Sequence, residues 1–383
     1  MITRGLSSVL ASSTKSVLLL GPRQTGKSTL IAGLAPDVAV NLAHESTYLE
    51  FLRNPSELEQ RLGTRPGPAT IFIDEVQRLP SLLNTIQVLL DRRPTPFKFY
   101  LTGSSSRKLK RGQANLLPGR LHVYHLGPLT ATELGEAFVL QRALAFGTLP
   151  GIWTEEDDVA RRKTLRSYAA TYLKEEVLAE GLARNIEGFA RFLFACAQWS
   201  GRFLDLAKLA SLSQVPRQTA VRFFEVLEDC LLVRRVDAFS KSSSRRLVQH
   251  PRYYFFDGGV LNGLLGSFEI SADRLGGSFE HLVINQILDE AAARDQDIRP
   301  ANYRTEHGAE VDLIIQTDSQ VWAIEIKASK TVRTGDLGGL RSFREYFGKR
   351  HRPLVFYLGD SRKELNGVEI WPWREGLREL FRS

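Results

Sequence analysis

Gly21-Pro22-Arg23-Gln24-Thr25-Gly26-Lys27-Ser28-Thr29 follows directly on the apolar run Val17-Leu18-Leu19-Leu20 and leads into Leu30-Ile31-Ala32. The apolar run predicts a buried strand, the glycines a turn, and the residues from Ser28 onward a helix. In that context the spacing G-x-x-x-x-G-K-[ST] describes a loop whose successive N–H groups point inward at phosphate oxygens, assisted by the positive end of the helix. Lys27 would then reach the β- and γ-phosphates of a nucleoside triphosphate, and the Ser28 hydroxyl would ligate Mg²⁺. A glycine-rich turn with a chance lysine is the competing reading, and the strand and helix on either side argue against it.

Working outward, Ala69-Thr70-Ile71-Phe72-Ile73-Asp74-Glu75 is an apolar strand that ends in two carboxylates. A strand buried on both faces delivers Asp74 to the carboxyl edge of an open α/β sheet, where ligands bind, to hold Mg²⁺ directly or through water. Glu75 is then set to polarise the attacking water. A further strand, Phe97 to Leu101, ends in Thr102-Gly103-Ser104-Ser105-Ser106, so Thr102 and Ser104 can contact the γ-phosphate or the lytic water; local turn chemistry explains the same residues equally well. Arg120 follows the turn Leu116-Leu117-Pro118-Gly119, before a strand from Val123 to Leu126, and an arginine inserted across a subunit boundary neutralises transition-state charge. With Val38 to Leu42 as another strand, residues 1–132 alternate strands and helices as an α/β domain with a mainly parallel sheet does.

Together these features resemble the AAA+ ATPases, and within them a prokaryotic group whose phosphate loop reads GPRQ-x-GK-[ST] and whose acidic strand end is followed by V-Q-x-x-P. Here those elements are Gly21 to Ser28 and Asp74-Glu75-Val76-Gln77-Arg78-Leu79-Pro80, and the resemblance continues through Tyr124 to Thr130. It implies ATP and Mg²⁺ as cofactors, assembly of the chain into a ring, most simply a hexamer, and Arg120 acting in trans on the neighbour's site. For the lid arginine of many such proteins, Arg161, Arg162 and Arg166 are candidates with no motif to choose among them.

The composition sets the outer limits. The chain has 383 residues, 43% hydrophobic and 25% charged, an ordinary globular balance with room for two or three domains. No uninterrupted apolar run is long enough to span a bilayer and no leader pattern opens the sequence, so the expected location is the cytoplasm, away from any membrane. Cys196 and Cys230 both sit in apolar helical patterns, as small buried hydrophobes do. A net charge of +8 favours an acidic partner, and basic residues cluster at Arg161 to Lys163, Lys241 to Arg246 and Arg341 to Arg352. Solvated surface faces account for any one of these clusters.

Residues 133–198 read as a helical lid with connecting helices, carrying Tyr168, Tyr172, Leu173, Val177, Phe189, Phe192, Leu193 and Cys196 at helix spacing. Residues 199–247 have another shape: a short helix Leu204 to Ala210, a turn Ser211 to Ser213, a helix Pro216 to Leu227, and a strand Leu231 to Val236. That is the order of a winged helix-turn-helix. Its second helix would enter the major groove with Arg217, Gln218 and Arg222 as readers, and Arg234, Arg235, Arg245 and Arg246 would lie near phosphates. Winged helices also serve as protein–protein modules.

In residues 248–383 the strands Tyr253 to Asp257, Ala309 to Ile315 and Val321 to Lys327 flank a helix over Ser278 to Ala292. Alternation puts Glu325 and Lys327 on one strand face and Trp322, Ile324 and Ile326 on the other. With Asp312 on a neighbouring strand and Glu280 on the helix, three carboxylates can gather a hard divalent cation while Lys327 orients or deprotonates a water. The set resembles the E…D…ExK signature of the restriction-endonuclease-like fold, and the whole segment resembles the uncharacterised domain that follows AAA+ cores of this group. Val311 stands where that signature carries a proline, and an ordinary Glu325–Lys327 salt bridge explains the strand pair as well.

The expected fold class is therefore α/β: an AAA+ P-loop core with a helical lid, a winged helix and a C-terminal α/β restriction-endonuclease-like domain. Three functions fit this sequence: a DNA-translocating or DNA-remodelling ATPase, of which branch migration at Holliday junctions is one version; an ATP-regulated, Mg²⁺-dependent nuclease; and a nucleotide switch acting on a protein partner.

Overall fold

The structure is a computed structural model, and it describes residues 2–63, 67–92, 96–104, 117, 119–168, 170, 185–239 and 250–382. The chain divides into two compact units. The first comprises Met1–Leu129 with Asp229–Leu232 and Ala292–Asp295; the second comprises Thr130–Glu228, Val233–Ala291 and Gln296–Ser383.

In the first unit, strands β1 (Ser16–Leu20), β2 (Val38–Asn41), β3 (Ala69–Asp74), β4 (Phe97–Gly103) and β5 (Leu121–His125) form one sheet in the order β2-β3-β4-β1-β5. Every pairing in it is parallel. The strands alternate between two apolar layers. Leu18, Leu20, Ile71, Ile73 and Leu101 pack with Phe51 of α3 (Glu45–Arg53), Leu58 and Leu62 of α4 (Glu57–Gly63), and Ile86 of α5 (Leu82–Asp91). Val17, Leu19, Phe72 and Tyr100 pack on the other face with Leu6 and Leu10 of α1 (Leu6–Ser12) and Leu30 and Ile31 of α2 (Lys27–Ala32). This double burial is why β1 and β3 read as near-continuous apolar runs. Truncating a side chain at its centre, such as Ile73→Ala, is expected to cost about 2–5 kcal/mol.

Parallel strands end on one edge, so this topology decides where the functional loops meet. β4 lies between β1 and β3, with Thr102 in register with Leu19 of β1 and Leu101 with Ile73 of β3. The phosphate loop, the two carboxylates and the polar end of β4 therefore converge.

The second unit holds an eight-stranded mixed sheet in the order β12-β13-β11-β10-β9-β8-β6-β7. Its strands are β6 (Val233–Ala238), β7 (Arg252–Phe255), β8 (Arg299–Arg304), β9 (Glu310–Gln316), β10 (Val321–Lys327), β11 (Arg352–Tyr357), β12 (Lys363–Leu365) and β13 (Val368–Pro372). Helix Gly338–Phe347 lays Leu340, Phe343 and Phe347 against Val311, Ala323 and Val355 of this sheet. The helix expected from Ser278 is longer, Ala272–Ala293, and buries Phe279, Val283, Ile284 and Ile287. Helices Pro150–Thr154, Asp158–Ser167 and Ile186–Gln198 lie in the segment expected to be helical; Tyr172, Leu173 and Val177 of that segment lie outside the described residues.

The expected helix pair has shifted bounds, Leu206–Ser213 and Arg217–Asp229. The first helix continues through Ser213 because the turn is made one residue later, by Gln214 in the left-handed region at φ 54°. β6 then pairs antiparallel with β7 and parallel with β8, so the strand read as the end of one module is hydrogen-bonded into the sheet of the next. A further single bridge joins Phe203 to Arg252.

Candidate nucleotide site and carboxylate cluster

β1 runs into the phosphate loop at Gly21, whose N–H donates to the Gly103 carbonyl at 3.2 Å. A side chain there would meet the Leu126 carbonyl at 2.2 Å, so only glycine fits. Gln24 and Gly26 take left-handed conformations, φ 63° and 91°, which curl the loop around before α2 begins. Inside it the Thr25 hydroxyl donates to the Pro22 carbonyl at 2.9 Å. Lys27 is buried and its Nζ donates to the Gly21 and Pro22 carbonyls at 2.8 and 2.9 Å, so the ammonium is held at the loop. Arg23 lies half-buried, while Ser28 and Thr29 open the helix on its exposed side.

The Ser28 hydroxyl donates to Asp74 Oδ1 at 2.9 Å. Thr102 donates to the same oxygen and accepts the Glu75 N–H at 3.2 Å. A hydroxyl and a carboxylate oxygen brought together at a strand edge are the hard donors that Mg²⁺ prefers, so these residues fit the ion. Glu75 itself is in the left-handed region at φ 58° and ψ 44°, a conformation that non-glycine residues seldom adopt and that concentrates at functional sites. Gln77 Nε2 donates to Glu75 Oε2 and to Ser104 Oγ, the latter at 3.0 Å. Ser104 thus reaches the Glu75 carboxylate through Gln77.

Two supports went unread in the sequence. Arg4 is buried and donates to the carbonyls of Thr25 (2.6 Å), Gly127 (2.8 Å) and Pro128 (3.1 Å), pinning the phosphate loop from behind. In the sequence Gln77 reads only as part of a motif. Its burial is visible only once β3 and β4 are neighbours.

Arg120 immediately precedes β5, and in a parallel sheet strand starts lie on the edge opposite the strand ends. With β5 five residues long, the arginine stands about 17 Å or more from its own chain's phosphate loop along the sheet. Its Nε pairs with Asp91 at the end of α5, 2.5 Å away. Within a single chain Arg120 is therefore not part of the nucleotide site.

In the second unit Arg217, Gln218 and Arg222 are exposed on helix Arg217–Asp229, whose other face buries Ala220, Phe223, Phe224 and Leu227. Arg235 is exposed and paired with Asp237 at 2.7 Å. Arg234 points the other way: it pairs with buried Asp289 and donates to Asn285 Oδ1 at 3.1 Å, so its charge is spent internally and not toward a phosphate. Arg245 and Arg246 lie outside the described residues.

Glu280, Asp312, Glu325 and Lys327 do gather. Asp312 accepts the Ile326 N–H at 2.8 Å, and Lys327 pairs with Glu325 at 2.6 Å. Burial, and then the neighbouring Asp312 carboxylate, push Glu280 and Glu325 above the usual carboxylate range; burial raises Asp312 too. For Lys327 burial opposes the charge, and Glu325 more than offsets it. An additional cation absent from the motif enters here. Arg252 donates to Glu280 Oε1 at 3.0 Å and pairs with Glu310, and the Tyr254 hydroxyl donates to Glu280 at 3.0 Å. Glu280 is thus neutralised by a guanidinium, and among the described residues no group of three or more His, Cys, Asp or Glu side chains stands in metal-holding geometry. Cys196 and Cys230 are both buried.

Comparison with known proteins bears on both units. Residues 13–135 match the family model described as an AAA domain. Residues 138–271 and 275–375 match two models described as domains of unknown function, DUF8612 and DUF4143. Two mycobacterial proteins, uncharacterized protein Rv2008c of Mycobacterium tuberculosis and uncharacterized protein Mb2031c of Mycobacterium bovis, are each 30% identical over 326 residues, covering 82% of this chain and 70% of theirs. The chain belongs to their family. Its first unit is an AAA-type P-loop ATPase domain, in agreement with the parallel sheet and the Lys27, Ser28, Asp74 and Glu75 constellation. The second portion of this chain carries both unknown-function segments, and the β6–β8 pairing crosses their boundary. Among the described residues no helix is long and apolar enough to cross a membrane.

Proposed function

We propose that this protein is an ATP-driven machine acting on DNA, with its subunits arranged in a ring. ATP binds at Gly21 to Thr29, with Ser28 and Asp74 holding Mg²⁺; Glu75 orients the attacking water, and Thr102, with Ser104 acting through Gln77, fixes the two carboxylates. The position of Arg120 away from its own loop supports a role in trans on a neighbour's nucleotide. The observation that carries the DNA reading is the outward row Arg217, Gln218 and Arg222 on the second helix of the helix pair, beside the β6–β7 pairing. Two cations and an amide on one exposed helix face suit a DNA groove and its phosphates.

The test is the ATPase rate with single-stranded, duplex and four-way-junction DNA, alongside duplex affinity at several salt concentrations. Selective stimulation by one substrate is expected. Changing Arg217 and Arg222 together to Ala should flatten the salt slope of duplex binding by about 2, near 0.9 per lost phosphate contact. No retention of DNA at low salt would sink the reading and leave a protein partner as the ATPase's cargo.

A second reading, metal-dependent DNA cleavage at the carboxylate cluster, is favoured by one observation: Glu325 Oε2 is buried without a hydrogen-bond partner. Against it stands the compensation of Glu280 by Arg252. Cleavage in Mn²⁺ that disappears in Lys327→Ala supports it; intact DNA under those conditions refutes it.

A further inference from the structure

A cleft of about 500 Å³ opens in the second unit, just before helix Leu206–Ser213, lined by Trp199, Arg202, Phe203, Lys208, Arg252 and Arg304. Cations and rings interleave in its wall. Lys208 Nζ lies 3.8 Å and the Arg202 guanidinium 4.8 Å from the Trp199 ring centre, while Arg252 and Arg304 lie 4.8 and 5.0 Å from that of Phe203. The four cations are not equivalent. Arg252 is held by Glu280 and Glu310, and Arg304 stands 3.7 Å from Glu310. Arg202 and Lys208 are exposed and have no acidic partner among the described residues. The acid on the cleft wall, Asp205, directs its Oδ1 to the Lys208 N–H at 2.9 Å as the cap of the helix. Arg252, only 7% exposed, keeps an Nε–H with no acceptor.

Two exposed cations with no acidic partner among the described residues, beside two arginines that share Glu310, call for an anion. Rings set between the cations suit an anion that repeats and carries flat groups, and the volume admits a nucleotide or two but not a duplex. We infer that this cleft binds the phosphodiester backbone of a single nucleic-acid strand. The inference rests on the DNA-acting reading and extends it: the exposed face of Arg217–Asp229 meets duplex, and the cleft takes a separated strand. Arg252 links the strand to the carboxylate cluster, since the same guanidinium lines the cleft and binds Glu280 and Glu310.

The test is fluorescence anisotropy of a labelled oligo(dT) of about 12 nucleotides, with the full chain and the protein carrying Arg202→Ala and Lys208→Ala together. Affinity for the oligomer at low salt is expected to fall about tenfold, and the salt slope to flatten by about 1.4, near 0.7 per lost contact on a single strand. Lys208→Arg should keep the slope. Affinity and slope equal to wild type in the doubly substituted protein overturn the inference, as does displacement of the oligomer by inorganic phosphate or dTMP at matched phosphate concentration, which marks a small-anion site. The two readings fail separately: loss of ATPase stimulation and duplex binding removes the motor, whereas the cleft stands or falls on the oligomer alone.

Discussion

Thr102→Val removes one oxygen from the nucleotide site and keeps the side chain's volume. Thr102 is fully buried, donates to Asp74 Oδ1, and accepts the Glu75 N–H at 3.2 Å. The valine leaves Asp74 with the Ser28 hydroxyl at 2.9 Å and leaves the Glu75 amide without its acceptor. A hydrogen bond to a charged group contributes about 1.5–3 kcal/mol and an orphaned donor costs about 1–3 kcal/mol. Glu75 is only half-buried, which puts the combined effect at the low end, about 3 kcal/mol. That loss falls on the two carboxylates and not on the phosphate loop, which keeps the Lys27 and Arg4 contacts described above. It should therefore appear in turnover: at 1.36 kcal/mol per factor of ten, kcat drops about 100-fold. ATP affinity should stay within a few fold. Phosphate release at saturating ATP and titration with a fluorescent ATP analogue measure the two quantities, and Thr102→Ser, which keeps the hydroxyl, should retain most of the turnover. A folded Thr102→Val protein with wild-type kcat refutes the reasoning.

Arg4→Ala acts on the loop itself. It removes charged donors from three carbonyls, each such bond contributing about 1.5–3 kcal/mol, so ATP affinity should fall at least tenfold, as read by the same titration. Arg120→Ala should abolish hydrolysis while leaving ATP binding intact, and mixing it with Lys27→Ala subunits should restore part of the activity if the arginine works in trans; mixtures as inactive as either parent argue against a shared site. His281 gives a pH test. Burial, then Arg234, lower its pKa to about 4 from 6.5, so the folded state binds fewer protons than the unfolded chain between those values. Its contribution is complete above pH 6.5 and lost as pH falls to 4, about 3 kcal/mol in all. Denaturant unfolding of wild type and His281→Gln should converge by that amount over this window, and parallel stability curves would contradict it.

What the sequence makes legible follows from how local each feature is. The phosphate loop is contiguous, and its glycines and lysine have fixed tasks, so Gly21 to Thr29 and the strand before it are readable without any contact. β3 is readable for the same reason, an apolar run buried on both faces that ends in acids. Arg4 is not, because its partners are backbone carbonyls at Thr25 and Gly127, 21 and 123 residues along the chain, and a carbonyl acceptor leaves no mark on the residue type. The same limit explains Arg234 and Arg252. Arg234 reads in the sequence as a phosphate contact and Arg252 carries no reading there; both lie on the β6–β7 pair, and helix Ala272–Ala293 supplies their acids, buried Asp289 55 residues and half-buried Glu280 28 residues away. A charge pattern cannot separate an arginine that meets DNA from one that meets Asp289. The same argument alters the meaning of the C-terminal motif. Glu280, Asp312, Glu325 and Lys327 do come together, yet the motif omits Arg252, the group that determines whether Glu280 is available to a cation. With Arg252 in place the cluster is closer to balanced in charge, and its guanidinium also faces the basic cleft. A strand entering that cleft, as proposed above, would compete with Glu280 and Glu310 for Arg252 and would so couple its binding to the state of the carboxylates through one side chain.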